Sequence, residues 1–254
     1  MDKNEYYSHK EVLYEMVKTM QGREVAFLGE KLNVRCIKAH SVGYLLKNMD
    51  AFNFKDKKLN IYHSLAYLVN MPMFNYAMEK RRIQQTSFNN SFDDYYKGYD
   101  FAFDFDAKGE SWIKPYKDCN VLKTLFDQYG VPYSLKFSGS GFHLSINHVF
   151  IPNSSLKAHE LCQALAFRIK SIFQLESLDE SIYDKRRVWK APYSYDVKTG
   201  NIALPLNNSQ FDNFSIDIVN PENVIKYGVR DRGLIERPGT QLNMAEFLSD
   251  IMVD

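Results

Sequence analysis

The stretch Asp100-Phe101-Ala102-Phe103-Asp104-Phe105-Asp106 decides how this chain is read. Side chains alternate along a strand, so Phe101, Phe103 and Phe105 share one face while Asp104 and Asp106 share the other. Aspartate is depleted in strands, so two of them on one face of an aromatic strand point to chemistry. Their Cα atoms would lie about 6.5–7 Å apart, near enough for the carboxylates to converge on one cation. Hard divalent ions take such oxygen ligands, and phosphoryl-transfer sites hold Mg²⁺ through one or two carboxylates together with substrate phosphates. The plainer alternative is an amphipathic strand with a solvated acidic face. Asp100 has the same parity and is read as a solvated strand-end residue.

Downstream, Cys119, Leu122, Leu125, Phe126 and Tyr129 recur at helical spacing up to Gly130, a helix stop. Residues 131–137 and 142–149 then read as the arms of a hairpin around Ser138-Gly139-Ser140-Gly141. Alternation turns Leu135, Phe137, Phe142, Leu144 and Ile146 inward and leaves Lys136, Ser138, His143 and Ser145 on the other face. Two glycines allow the turn to present backbone N–H groups to an anion, and Ser138, Ser140 and His143 add side-chain donors. That set suits a nucleoside triphosphate tail; taken alone it is also an ordinary turn beside a strand histidine.

A third segment, 178–194, mixes charges of both signs with aromatics. Asp179, with Asp184 as rival, is a candidate third carboxylate, and Arg187 and Lys190 are candidate phosphate ligands. The cluster Lys80-Arg81-Arg82 would suit a template backbone, or simply end a helix in water.

The flanks supply the scaffold. Ser8 and Glu11 form a capping box for a helix whose apolar stripe is Val12, Leu13, Met16 and Met20. Short strands are predicted at 24–28, 33–37, 59–64, 99–106, 187–191 and 201–206. A long helix carries Leu161, Leu165, Ile169 and Phe173 on its core face, another starts at Pro221, and an amphipathic one covers 244–252. The stripe Leu242, Phe247, Leu248, Ile251 and Met252 would fold back on the core or dock a partner. These elements describe a mixed α/β chain, of the α+β kind, with a largely antiparallel or mixed sheet, read as one unit over 1–254.

Composition sets outer limits. The chain has 254 residues, and 32 Lys+Arg against 31 Asp+Glu leave a formal net charge of +1. That balance excludes a wholly basic nucleic-acid binder but not a local basic patch. The 3 cysteines, Cys36, Cys119 and Cys162, form no CxxC pair, so neither a structural zinc nor a disulfide framework is expected. No apolar run suits a signal peptide or a membrane span, so a soluble protein without membrane contact is expected in the cytoplasm or at the nucleoid.

In this order the motifs resemble the archaeo-eukaryotic primase superfamily, most closely the small catalytic subunit of DNA primase and the primase-polymerases. Phe103-Asp104-Phe105-Asp106 is similar to the family's hydrophobic-Asp-hydrophobic-Asp motif, and Ser138-Gly139-Ser140-Gly141-Phe142-His143 to its Ser-Gly-x-Gly-x-His motif. Asp179 leading into Arg187-Val188-Trp189-Lys190-Ala191-Pro192-Tyr193-Ser194 resembles its third motif, and Arg23-Glu24, Arg35 and Ile61-Tyr62-His63-Ser64 resemble its first strands. The similarity covers about residues 20–220, leaving 221–254 as a helical tail. Three departures stand out. The hairpin is one residue shorter than in cellular primases, the Asp179-to-Pro192 spacing is one residue short, and Asp196 stands where histidine or glycine often follows.

The resemblance implies an RRM-like catalytic sheet and a smaller α/β layer around one cleft. It implies that Asp104, Asp106 and Asp179 hold two Mg²⁺ or Mn²⁺ ions. Ser138, Ser140 and His143 would contact the incoming NTP or dNTP, with Arg35, Arg187 and Lys190 as phosphate clamps. The implied activity is DNA-directed nucleotidyl transfer making short primers on single-stranded DNA, within a primosome and with a large partner subunit. A catalytically silent nucleic-acid-binding module and a metal-dependent nuclease are the alternatives.

Overall fold

The structure, a computed structural model, describes residues 1–69, 74, 77–78, 95–109, 111–151, 157–227 and 239–252; the Lys80-Arg81-Arg82 cluster lies outside them. The chain opens with α1 (Lys3–Tyr6), α2 (Lys10–Thr19), β1 (Arg23–Leu28), β2 (Asn33–Ile37), α3 (Val42–Ala51) and β3 (Asn60–Leu68). It continues with β4 (Tyr96–Tyr99), β5 (Phe101–Phe105), α4 (Ile113–Tyr129), β6 (Ser134–Phe137), β7 (Phe142–Ile146) and α5 (Ala158–Phe173). It closes with β8 (Val188–Lys190), β9 (Pro205–Leu206), α6 (Asn208–Asp212), α7 (Pro221–Tyr227) and α8 (Gln241–Met252).

The strands form two antiparallel sheets. The first runs β2-β1-β3-β4, with β8 also on β3: β8 pairs with Tyr62, His63 and Ser64, and β4 with Ala66, Tyr67 and Leu68. The second runs β5-β7-β6-β9. Its aromatic face does what the alternation predicts: Phe101, Phe103, Phe105, Phe137 and Phe142 are fully buried. Helices α4 and α5 cover that face, and Phe103 meets Phe126 of α4 with ring centroids 5.9 Å apart. Each buried ring is worth about 2 kcal/mol over leaving it in water. A one-residue slip of β5 would turn all three of its rings into the cleft, so the register is firmly set. Helix α8 folds back on this layer through Phe247, which meets Phe126 and Tyr129 edge-on, while Leu242 stays exposed.

Three expectations need correction. Residues 99–106 are not one strand. The chain leaves the first sheet at Tyr99 and enters the second at Phe101. Asp100 between them is not solvated: it is 3% exposed and ion-paired with Arg23, whose guanidinium also donates to the carbonyls of Ser64 and Leu65. The buried pair pins the crossing from one sheet to the other. Nor does Ser8 cap α2. The N-cap is His9, and the Ser8 hydroxyl donates to the Glu5 carbonyl at 2.6 Å, closing α1 instead. Among the described residues no helix is long and apolar enough to cross a membrane.

Candidate active site

Pairing between β5, β7 and β6 places Asp104 opposite His143 and His143 opposite Lys136. Directly opposed residues of antiparallel strands point to the same side, so the three form one polar row on the face turned away from the helices. The hairpin's alternation predicts this face. The His143 Nε2 lies 3.3 Å from Asp104 Oδ1, and both side chains are largely withdrawn from water.

The third carboxylate arrives from a distant part of the chain. Segment 177–179 runs antiparallel beside 104–106: the Asp179 N–H donates to the Asp104 carbonyl at 2.8 Å and the Asp106 N–H to the Ser177 carbonyl at 3.0 Å. Phe105 bridges Leu178 between them. Asp104, Asp106 and Asp179 therefore stand on neighbouring stretches of backbone. Asp106 accepts from the Lys108 N–H and Asp179 from the Ser181 N–H, each through one oxygen, which fixes the carboxylates to their turns and leaves the second oxygen of each. Asp184 is turned elsewhere: it accepts from the Arg186 N–H and pairs with Arg187 at 3.0 Å. Among the described residues no three His, Cys, Asp or Glu side chains are already gathered as a metal-holding group. The donor set nonetheless fits a hard divalent ion, since all three groups are carboxylates and two retain an uncommitted oxygen.

The glycines of the hairpin meet two separate demands. Gly139 has φ +109°, and a Cβ there would lie 2.4 Å from Asp196 Oδ2; a Cβ on Gly141 would lie 2.0 Å from the Phe105 carbonyl oxygen. Ser138 closes the turn, its N–H donating to the Gly141 carbonyl and its hydroxyl accepting from the Gly141 N–H. Thr199 and Asn201 donate to the Gly139 carbonyl, which ties the loop to the turn after Asp196. Ser140 sits half-buried at the tip. Gly139→Ala is expected to cost about 2 kcal/mol, a fall of about 5 °C in thermal midpoint by calorimetry, because both backbone conformation and Asp196 must yield.

The candidate phosphate ligands are held by protein partners. Lys190 pairs with buried Asp196 behind the glycine loop. Arg187 donates to the carbonyls of Ser181 and Ile182, stapling the loop that follows Asp179. Arg35 makes a two-pronged pair with fully buried Glu24 at 2.7 and 2.9 Å, and donates to the Arg186 carbonyl. The Nη1 of Arg35 carries two further N–H donors beyond these bonds. Arg186 also reaches Glu24, at 3.3 Å, and the sequence reading did not single it out.

Trp189 is the side chain that sequence reasoning missed most. On β8 of the first sheet it lies flat against His143 of the second, ring centroids 4.3 Å apart and planes 1° apart. The Lys136 ammonium sits over the same indole at 4.5 Å and donates to the Lys190 carbonyl. A contact between two sheets depends on topology, and no local spacing signals it.

Burial shifts the charges of this layer. It pushes Lys136 well below the ordinary lysine range, with Asp104 opposing. It lowers His143 to about 4, with Asp104 opposing and Lys136 reinforcing, so the imidazole is neutral at pH 7 with its Nε2 facing Asp104. Burial alone would raise the Asp104 carboxyl, but His143, Lys136 and Lys190 outweigh it and hold the group below the usual carboxylate range. The unfolded imidazole, near 6.5, binds a proton that the folded one refuses, so stability is lost as pH falls from about 6.5 towards 4 and is unaffected above. Between pH 7.5 and 5 the loss from His143 is expected to be about 2 kcal/mol; His143→Gln should shrink the acid drop in urea midpoint by that share and leave the share of His63, which burial also holds well below its ordinary range.

No protein-family model and no curated protein sequence matches this chain. Among solved structures it is similar to the polymerase domain of Mycobacterium tuberculosis ligase D in complex with DNA, at a TM-score of 0.54. The two share a fold. Identity is 15%, and the match covers 88% of this chain and 88% of that one. The α+β class expected from the sequence holds, and its two antiparallel sheets form the fold of a known polymerase domain.

Proposed function

We propose that this chain is a template-directed nucleotidyltransferase of the primase-polymerase kind, making short primers from NTPs or dNTPs on single-stranded DNA. The observation that carries the reading is the backbone bond that sets Asp179 beside Asp104, next to the row that holds His143. Three carboxylates from two separate stretches, a tight glycine loop and a neutral histidine donor are the parts that a triphosphate-handling cleft requires. The fold shared with a DNA-bound polymerase domain supports the same conclusion.

Asp104, Asp106 and Asp179 would hold two Mg²⁺ or Mn²⁺ ions. When bound, such ions supply a more acidic 3′-hydroxyl and neutralisation of triphosphate charge. The chain's own groups do the rest. Ser140 and the glycine-loop backbone face the triphosphate with Ser138 shaping the turn. Lys190 and the remaining donors of Arg35 and Arg187 balance its charge, and His143 presents its ring to it. The 3′-hydroxyl gives its proton to solvent, its oxygen bonds to the α-phosphorus as the bond from that phosphorus to the α–β bridging oxygen breaks, pyrophosphate leaves, and in-line positioning rather than covalent catalysis lowers the barrier. A large partner subunit, a place in a primosome and a cytoplasmic or nucleoid-associated location belong to the same proposal.

Labelled NTPs and dNTPs with a single-stranded template and Mn²⁺ should yield a product ladder bounded by template length. A shortened template with no ladder would make the cleft a nuclease, and no change in either strand would leave a binding module.

A further inference from the structure

Hydrogen bonds alone do not fix the plane of His143. Among the described residues its one polar contact, to Asp104, is 3.3 Å, beyond the usual range for N–H···O bonds, and its buried Nδ1 has no partner. Rotation about the imidazole's ring torsion is intrinsically broad, so something else must select the orientation. The indole of Trp189 does so, lying parallel within 1° at 4.3 Å. Trp189 is itself held by two further neighbours. Its strand register sets it opposite His63, whose ring meets it edge-on at 85°, and Lys136 lies over its face while bonding to the next carbonyl along. Trp189 is 6% exposed, and its buried Nε1 has no hydrogen-bond partner among the described residues. A tryptophan whose polar atom is left unsatisfied is not placed there for a hydrogen bond; what it offers is a large flat face.

We infer that Trp189 is a positioning residue, holding the His143 ring in the orientation from which it addresses a nucleotide's phosphates. The inference rests on the reading of His143 as a triphosphate-facing group, and its test has an arm that does not depend on activity. With ring-¹³C-labelled histidine, the His143 signal, assigned by its loss in His143→Gln, should be shifted upfield by the indole in the wild-type chain. It should return to an ordinary position in Trp189→Leu and stay shifted in Trp189→Phe. In primer synthesis Trp189→Leu should lose on the order of 10- to 100-fold in kcat/KM for the incoming nucleotide, while Trp189→Phe recovers to within about threefold. An unshifted His143 signal in the wild-type chain overturns the inference, as does a folded Trp189→Leu with wild-type kcat/KM. If Trp189→Leu fails to fold, the wild-type and Trp189→Phe spectra still decide, since both must show the shift. A wild-type chain that transfers no nucleotide refutes the function instead, and the spectra then judge the stack alone.

Discussion

Asp104→Asn is expected to lower template-directed incorporation on the order of a thousandfold or more, and Asp106→Asn likewise, with little change in thermal midpoint. Asparagine keeps the shape of each side chain and the turn bond of Asp106, while removing the charge that the proposed ions need. A thousandfold corresponds to about 4 kcal/mol of transition-state stabilisation, the size of effect seen when one essential charge leaves a preorganised site. Asp184→Asn is the matched control. That carboxylate faces Arg187 and the Arg186 amide rather than the cleft row, so the variant should retain activity within several-fold. Gel quantitation of labelled product checks all three. Undiminished synthesis by Asp104→Asn would refute the metal assignment.

The largest expected effect on stability is at Asp100. Asp100→Ala leaves the Arg23 guanidinium, which is fully buried, without its counter-charge, a change worth about 3–5 kcal/mol. The thermal midpoint should fall by about 10 °C. The same pair can be removed together at far smaller cost, because two buried charges disappear with their desolvation penalty. Arg23→Met/Asp100→Leu should therefore melt well above Asp100→Ala. Calorimetry on the single and double variants decides. A single variant within about 1 kcal/mol of wild type would mean that the pair does not hold the crossing between the sheets.

Asp100 also marks where sequence reading reached its limit. The alternation of Phe101, Phe103 and Phe105 against Asp104 put the rings on one face and the carboxylate on the other, and in the structure the rings are buried on the face away from Asp104. Within the hairpin, alternation also put Lys136 and His143 on one face; the pairing that sets Asp104 opposite His143 joins β5 to β7 across the intervening helix and was not legible. Period-two parity could not tell that Asp100 ends one sheet and opens another, because that depends on Arg23 arriving from β1. The same holds for Trp189: its neighbour in space, His143, lies in the other sheet, and only the packing of the sheets brings them together. Asp179 falls between these cases. Its place in the order of motifs singled it out, but its preference over Asp184 rests on one backbone bond to Asp104. Arg35 and Arg187 were singled out as candidate phosphate clamps, whereas their anchoring by Glu24 and by the 181–184 loop was not legible.

Thermal unfolding of the full chain with GTP, in the presence and absence of Mn²⁺, tests the centre of this account most directly. The account predicts that GTP and Mn²⁺ together raise the midpoint by several degrees, about 2.7 kcal/mol at a hundredfold excess over Kd, and that neither does so alone. It predicts that Asp104→Asn and Asp179→Asn abolish the rise while Asp184→Asn keeps it. A wild-type midpoint indifferent to the pair, or a rise that survives in Asp104→Asn, would contradict it.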